Sequence, residues 1–310
     1  MNTQEIINQD WKKTKKIQEL ILLGLTRREI ADLVCNGNYG FAQNVYAKML
    51  AEGKLNALAI ANFNPLPFTK RFGVEFEAYN VLPSKIVREL QSEGIECYDE
   101  SYNHSTRPHW KVVSDASIVG QNSFELVSPI LEGENGLEQV KTVCRVLKKC
   151  NAYINKSCGM HVHFDAQNFD LNQWKNIYKN YAGFENQIDE LMPASRRANN
   201  AYYCKSLKIN NLETKIDNAR NLSEIERVFQ NNRYFKINPK SYARHNTIEF
   251  RQHSGTVEFE KVSNWILFLH NLVDYSKNHF ATDFSWSGLE KINQENIITY
   301  YHNRKQELAA

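Results

Sequence analysis

The sequence predicts an α+β fold: strands with one apolar and one polar face, helices around them, and a small all-α segment in front. Three observations predict it. Four separated stretches alternate apolar and polar residues with period two, as a half-buried strand does. Helical patterns fall between and after them in irregular order rather than as repeated strand–helix units. The first 60 residues carry no such alternation and read as helices.

The chain has 310 residues, 42% apolar and 24% charged. This composition is ordinary for a globular protein with a sizeable core. No apolar run reaches the length of a membrane span, so no membrane partner is expected. The start, MNTQEIINQDWKK, is polar and has no signal-peptide core. Six cysteines occur without a CxxC pair, which suggests neither a zinc cluster nor a disulfide framework. Reduced thiols in a cytoplasm are the expectation. Net charge is +3, with 10 Lys and Arg against 6 Asp and Glu in residues 1–71. A charge-driven contact with an anionic partner therefore belongs first to the N-terminal segment.

Residues 11–52 read as helical. Ile17, Leu20, Ile21 and Leu23 form one apolar face, closed by Gly24. Thr26 to Glu29, TRRE, forms a capping box for a second helix through Val34. Phe41, Val45 and Met49 line a third, ending near Gly53. Helix, glycine turn and helix beside basic residues resemble a helix-turn-helix module that binds nucleic acid. A three-helix bundle for packing or dimerisation fits equally, because the third helix, which would read the nucleic acid, carries Lys48 as its one base. Residues 61–70, ANFNPLPFTK, read as a linker to a large domain over 71–310. In that domain helices are predicted near 83–93, 136–150, 171–192, 258–278 and 288–308.

RFGVEFEAY, 71–79, puts Phe72, Val74, Phe76 and Ala78 on one face and Glu75 and Glu77 on the other. SFELVSP, 123–129, buries Phe124 and Leu126 and turns Glu125 the other way. SCGMHVHFD, 157–165, sets His161, His163 and Asp165 opposite Met160, Val162 and Phe164. NTIEFRQH, 246–253, sets Glu249, Arg251 and His253 opposite Ile248 and Phe250. Any one stretch alone suits a solvated strand face. Summed, the polar set is rich in metal ligands and anion clamps. Several carboxylates with an imidazole suit two hard cations, Mg²⁺ or Mn²⁺, holding a polyphosphate. Arg251 adds a planar fork for carboxylate or phosphate. Trp110, Trp174 and Trp265 read as core, and His104, His109, His270, His279 and His302 as incidental. Asp115 either ends a strand as a turn residue or lies near the metals. Cys158 has no thiolate-activating neighbour except His161, which argues against a nucleophile.

The ordered series GVEFE, WKVVSDASI, FELVSPIL, NKSCGMHVHFD, SRRANNAYYC, RYFKIN and TIEFRQHSGT resembles the amidoligase family, relatives of glutamine synthetase among carboxylate–amine ligases. The resemblance covers about residues 71–280. It implies a glutamine synthetase-type sheet, antiparallel and curved, whose concave face holds ATP and two divalent cations. It implies metal ligation by Glu75, Glu77, Glu125, His161 and Glu249. Arg251, Glu249 and Arg197 are assigned to catalysis, and His163, Asn200 and Arg244 to the nucleotide. His163 lies one pleat repeat, ~6–7 Å, beyond His161 and is read as acting on ATP phosphate or on a neighbouring carboxylate. The segment from Asn155 to His161 is one residue longer than in glutamine synthetase, so that enzyme's glutamate-binding asparagine is not carried over. Its ammonia-site loops are not visible either. Glutamine synthesis is therefore not expected. The implied reaction is ATP-dependent amide formation through an acyl phosphate, on a peptide, a protein or a small acid and amine. Two rivals stay open. One is a DNA-binding regulator with a ligand-sensing large domain. The other is a zinc hydrolase on a (β/α)₈ barrel, although only 147 residues follow His163 where a whole barrel takes about 250.

Overall fold

The computed structural model describes residues 3–23, 25, 27–52 and 68–309. The expected helix-ending Gly24 and Gly53, the capping residue Thr26 and linker residues 61–67 lie outside the described residues. The chain divides into two compact units, Met1–Leu66 with Gln294–Thr299, and Pro67–Asn293 with Tyr300–Ala310.

The first unit contains helices Thr3–Ile7, Lys13–Leu22, Arg27–Val34 and Tyr39–Ala51. Ile17, Leu20 and Ile21 from one helix meet Ile30, Ala42, Val45 and Met49 from the next two in a single core. Two residues expected on apolar faces are not in it: Leu23 and Phe41 are exposed. Leu23 falls just past the end of its helix, where the apolar stripe no longer continues. At the centre of this unit Arg27 is buried. Its guanidinium pairs with Glu295, donates to Gln43 and to the Glu295 carbonyl at 2.9 Å, and lies 4.4 Å from the centre of the Tyr46 ring.

The second unit is built on an eight-stranded sheet. Its strands are β1 (Arg71–Ala78), β2 (Cys97–Asp99), β3 (Trp110–Val113), β4 (Phe124–Val127), β5 (Leu131–Glu132), β6 (Met160–Asp165), β7 (Ile237–Asn238) and β8 (Thr247–Phe250). The spatial order is β2–β3–β4–β1–β6–β8–β7, with β5 on β1. Every pairing is antiparallel except β2 with β3. The four long alternating stretches thus become the four adjacent central strands β4, β1, β6 and β8.

Alternation explains the layering. Phe76, Leu126, Val162, Phe164 and Phe250 all point to one side and are buried. Each contributes about 1.5–3 kcal/mol relative to exposure. The helices Leu171–Glu190 and Phe259–Asn278 close over that side. Tyr181 of the first lies 5.5 Å from Phe250, and Asn180 donates to Ser276 of the second at 2.9 Å. The Leu171 helix starts where Asp170 and Gln173 cap each other's backbone N–H groups. Trp110, Trp174 and Trp265 are core residues, as expected. His253 is not on the polar face. β8 ends at Phe250, so the alternation stops there, and His253 is buried against Trp265 at 5.5 Å.

Burial holds the imidazoles of His253 and His270 down to about 4, against an ordinary 6.5. The unfolded chain therefore takes up protons between pH 6.5 and 4 that the folded chain does not. Stability is full at neutral pH and declines as pH falls through that window. Denaturation midpoints measured from pH 7 to pH 4 check this, and His253→Gln is expected to flatten part of the slope.

Candidate active site and metal centre

The strand register decides which polar side chains meet. Glu75 pairs with His161 across β1 and β6, Glu77 with Glu125 across β1 and β4, and His163 with Glu249 across β6 and β8. Side chains of directly opposed residues stand on the same face. All five expected metal ligands therefore gather there.

His161 Nδ1 lies 2.8 Å from Glu75 Oε2 and 3.9 Å from Glu249 Oε1, and its Nε2 lies 3.4 Å from Glu77 Oε1. His163 Nε2 lies 3.2 Å from Glu75 Oε1, yet makes no hydrogen bond although buried. Its other nitrogen sits 3.0 Å from the Thr247 hydroxyl. Three overlapping sets each place three ligand atoms within 4.8 Å of one another: Glu75, His163 and Glu249; Glu75, Glu125 and His161; Glu77, Asp115 and Glu125. So Asp115, left open between turn and metal, joins the acidic cluster. His163 has the same standing in this geometry as His161.

The electrostatics match a cation site. Burial, with Glu75, Glu77 and Asp115 nearby, pushes the Glu125 carboxyl well above its ordinary range. Burial alone would also raise Glu75, but His163 and His161 outweigh it and hold that carboxyl well below the usual range. Glu249 is likewise raised by burial and lowered further by Arg251 and His163, down to about 2. A divalent cation relieves such carboxylate crowding. The buried Nε2 of His163, which faces Glu75 at 3.2 Å, becomes a nitrogen ligand for it on losing its proton. The donor set fits Mg²⁺ or Mn²⁺.

Supporting contacts fix the ligands. Asn238 on β7 donates to Glu249 Oε2 at 2.6 Å, and Arg251 pairs with its other oxygen. The Gly159 N–H donates to Glu77 Oε2 at 2.5 Å. A Cβ at Gly159 would stand 3.1 Å from His161 Nε2 and 3.3 Å from the Arg196 guanidinium. The sequence reason for glycine before Met160 is this close approach.

This face floors a cavity of about 960 Å³. Arg251, Asn200 and Arg244, expected here from the resemblance, all line it. Arg197 does not. It follows the Ala194–Arg196 turn in extended conformation, and its Nε donates to Met192 O at 2.8 Å. The preceding residue takes its place: Arg196 lines the cavity and donates to Cys158 O. His104, read as incidental, lines it too, as does His245, which no pattern singled out. Cys158 is buried and its thiol is pushed up by burial, which removes the nucleophile reading. A second cavity of about 240 Å³ shares Glu75, Glu125 and His163 with the first, and Asp165 lies there.

A family model described as "putative amidoligase enzyme" matches residues 69–273. The chain belongs to the amidoligase family. Membership supports a ligase activity for this amidoligase. Curated proteins gave no match. No described helix is long and apolar enough to cross a membrane.

An ionic network underpins the amidoligase cavity. Lys236, fully buried, donates to Glu185 at 3.0 Å and to Asp189 at 2.5 Å. Asp189 also accepts from Gln252 at 2.5 Å and from the Ala198 N–H at 2.8 Å. Lys236→Met removes the cation from the buried Glu185 carboxylate, which keeps the Ser206 hydroxyl and the Leu207 N–H as donors, and a loss of about 3–5 kcal/mol is expected in chemical denaturation.

Proposed function

We propose that the protein is an ATP-dependent carboxylate–amine ligase with a glutamine synthetase-type sheet. The observation that carries this reading is the cluster of overlapping carboxylate and imidazole sets on one sheet face, beneath a cavity large enough for two substrates. Glu75, Glu77, Glu125, Asp115, His161, His163 and Glu249 would hold two divalent cations. When bound, these supply positive charge for the oxygens of a transferring phosphoryl group.

The protein's own residues do the rest. Arg251 fixes Glu249 through one nitrogen and, with Arg196 and Arg244, offers guanidinium nitrogens to phosphate or substrate carboxylate. Asn200 lines the same wall. A carboxylate oxygen of the acid attacks the γ-phosphorus and ADP leaves, which gives an acyl phosphate. The amine then attacks the acyl carbon, phosphate leaves, and the amine proton passes to a base. The second cavity, opening onto Glu75 and Glu125, gives another substrate access to the same face. A peptide, a protein side chain or a small acid and amine is the proposed substrate class. ADP release in the presence of Mg²⁺ that rises when a mixture of acids and amines is added supports this reading, and phosphate release indifferent to them overturns it.

For the N-terminal helices a nucleic-acid partner is a separate proposal, supported by exposed Lys12, Lys13, Lys15 and Lys48. Replacing the first three by Glu is expected to abolish a salt-sensitive mobility shift and to leave ADP release intact. A full-length chain that gives no shift at low salt ends that proposal.

A further inference from the structure

Three tyrosines form an open aromatic group in the large cavity. Tyr202, Tyr203 and Tyr234 all line it. Their ring centres are 5.0 Å apart for 202 and 203, 5.7 Å for 202 and 234, and 5.0 Å for 203 and 234. Tyr202 is 66% exposed and Tyr203 43%. The large rings around the sheet are by contrast fully buried, Trp110, Tyr178 and Phe250 among them. The tyrosines are not on loose chain. Lys205 N–H donates to Tyr234 O at 2.8 Å, and Lys236 N–H to Lys205 O at 2.9 Å, which bridges the two segments. Cys204, between the rings and that bridge, is buried. At the start of the loop Ala198 has φ +46, a left-handed conformation that is unfavourable for alanine. Its N–H is held by Asp189. The rings thus stand on a backbone held at both segments.

Charge narrows the ligand. The Lys205 ammonium lies 5.3 Å from the centre of Tyr202, and the Arg233 guanidinium 5.3 Å from Tyr234. Cations already at the rings disfavour an ammonium ligand. Arg233, Lys240 and Arg244 line the same cavity, whose floor is the carboxylate and histidine face. The ligand that fits is flat and aromatic at one end and polyanionic at the other. A volume of about 960 Å³ sits at the upper end of ligand pockets, which run to ~1,000 Å³, and holds such a molecule extended.

We infer that Tyr202, Tyr203 and Tyr234 stack the base of the nucleoside triphosphate, and that Arg233, Lys240 and Arg244 receive its phosphates. This rests on the ATP-dependent reading above and adds where the base lies. A peptide aromatic side chain on the same rings is the competing occupant.

Calorimetry with a non-hydrolysable ATP analogue and with tripolyphosphate, both with Mg²⁺, tests it. The wild-type chain is expected to bind the analogue the more tightly. The double variant Tyr202→Ala/Tyr234→Ala is expected to lose roughly 5- to 150-fold in analogue affinity, the loss typical of one stacked base. Its tripolyphosphate affinity should stay unchanged, and Tyr202→Trp should keep analogue binding. Equal wild-type affinity for the two ligands overturns the platform while leaving the ligase reading in place. So does an equal loss of both in the double variant. Unchanged analogue binding with a raised KM for the acid or amine gives the rings to the substrate and also overturns it. Wild-type chain that binds neither ligand removes the ATP-dependent reading and the platform together.

Discussion

Glu249→Gln is expected to cut turnover by more than 100-fold, above the roughly 10–100-fold cost of losing a group that merely supports a metal ligand. The substitution keeps size and shape but removes the charge. Glu249 is 5% exposed, faces both histidines, and is held by Asn238 and Arg251. The amide cannot balance the Arg251 charge, and half of its donor capacity points into a site built from acceptors. Mn²⁺ titration followed by electron paramagnetic resonance should show one cation weakened and the other retained, because Glu77, Asp115 and Glu125 form a set without Glu249. Loss of fold is checked separately by circular dichroism. Wild-type turnover in this variant would mean that the carboxylate row takes no part in the reaction.

Arg251→Lys carries the second large effect. Arg251 lies deep in the site, and burial, which would lower its pKa, is outweighed by Glu249, so the guanidinium stays charged. One nitrogen is spent on Glu249, and Nε is buried without a hydrogen bond. A lysine offers a point charge and no fork, so it can hold Glu249 or reach an anion, but not both. A loss of about 10²–10³-fold in turnover is expected, as for removal of one preorganised donor to developing charge. Metal affinity should fall far less than in Glu249→Gln, and that contrast separates an anion clamp from a ligand prop.

The central sheet was legible because β1, β4, β6 and β8 each bury one face and expose chemistry on the other. Period two then reports both the core and the site. The remaining strands show no such period. β5 and β7 have two residues each, too few to show a period, and β3 is buried on both faces, so Trp110–Val113 does not alternate. Asp115 reaches the acidic cluster from the chain after β3, where no strand period applies. The exchange of Arg197 for Arg196 has a similar origin. The two are adjacent in a short turn, and which one faces the cavity depends on backbone angles that the residue types do not set. His104, His245 and the three tyrosines come from loops and short helices, and only the folded chain brings them together. The equal place of His163 and His161 was hidden for another reason. Spacing along β6 separates them by a pleat, but Glu75 on β1 stands between them and reaches both.

The measurement closest to the central claim is mass spectrometry of a cell extract incubated with the protein, ATP and Mg²⁺, with Glu249→Gln as the control. The account predicts a product one water lighter than the sum of an acid and an amine that both decline. It should form only with ATP and the unsubstituted chain, and in step with ADP and phosphate. Products that form without ATP, each pair one water heavier than a molecule that declines, would instead make this a hydrolase and contradict the account.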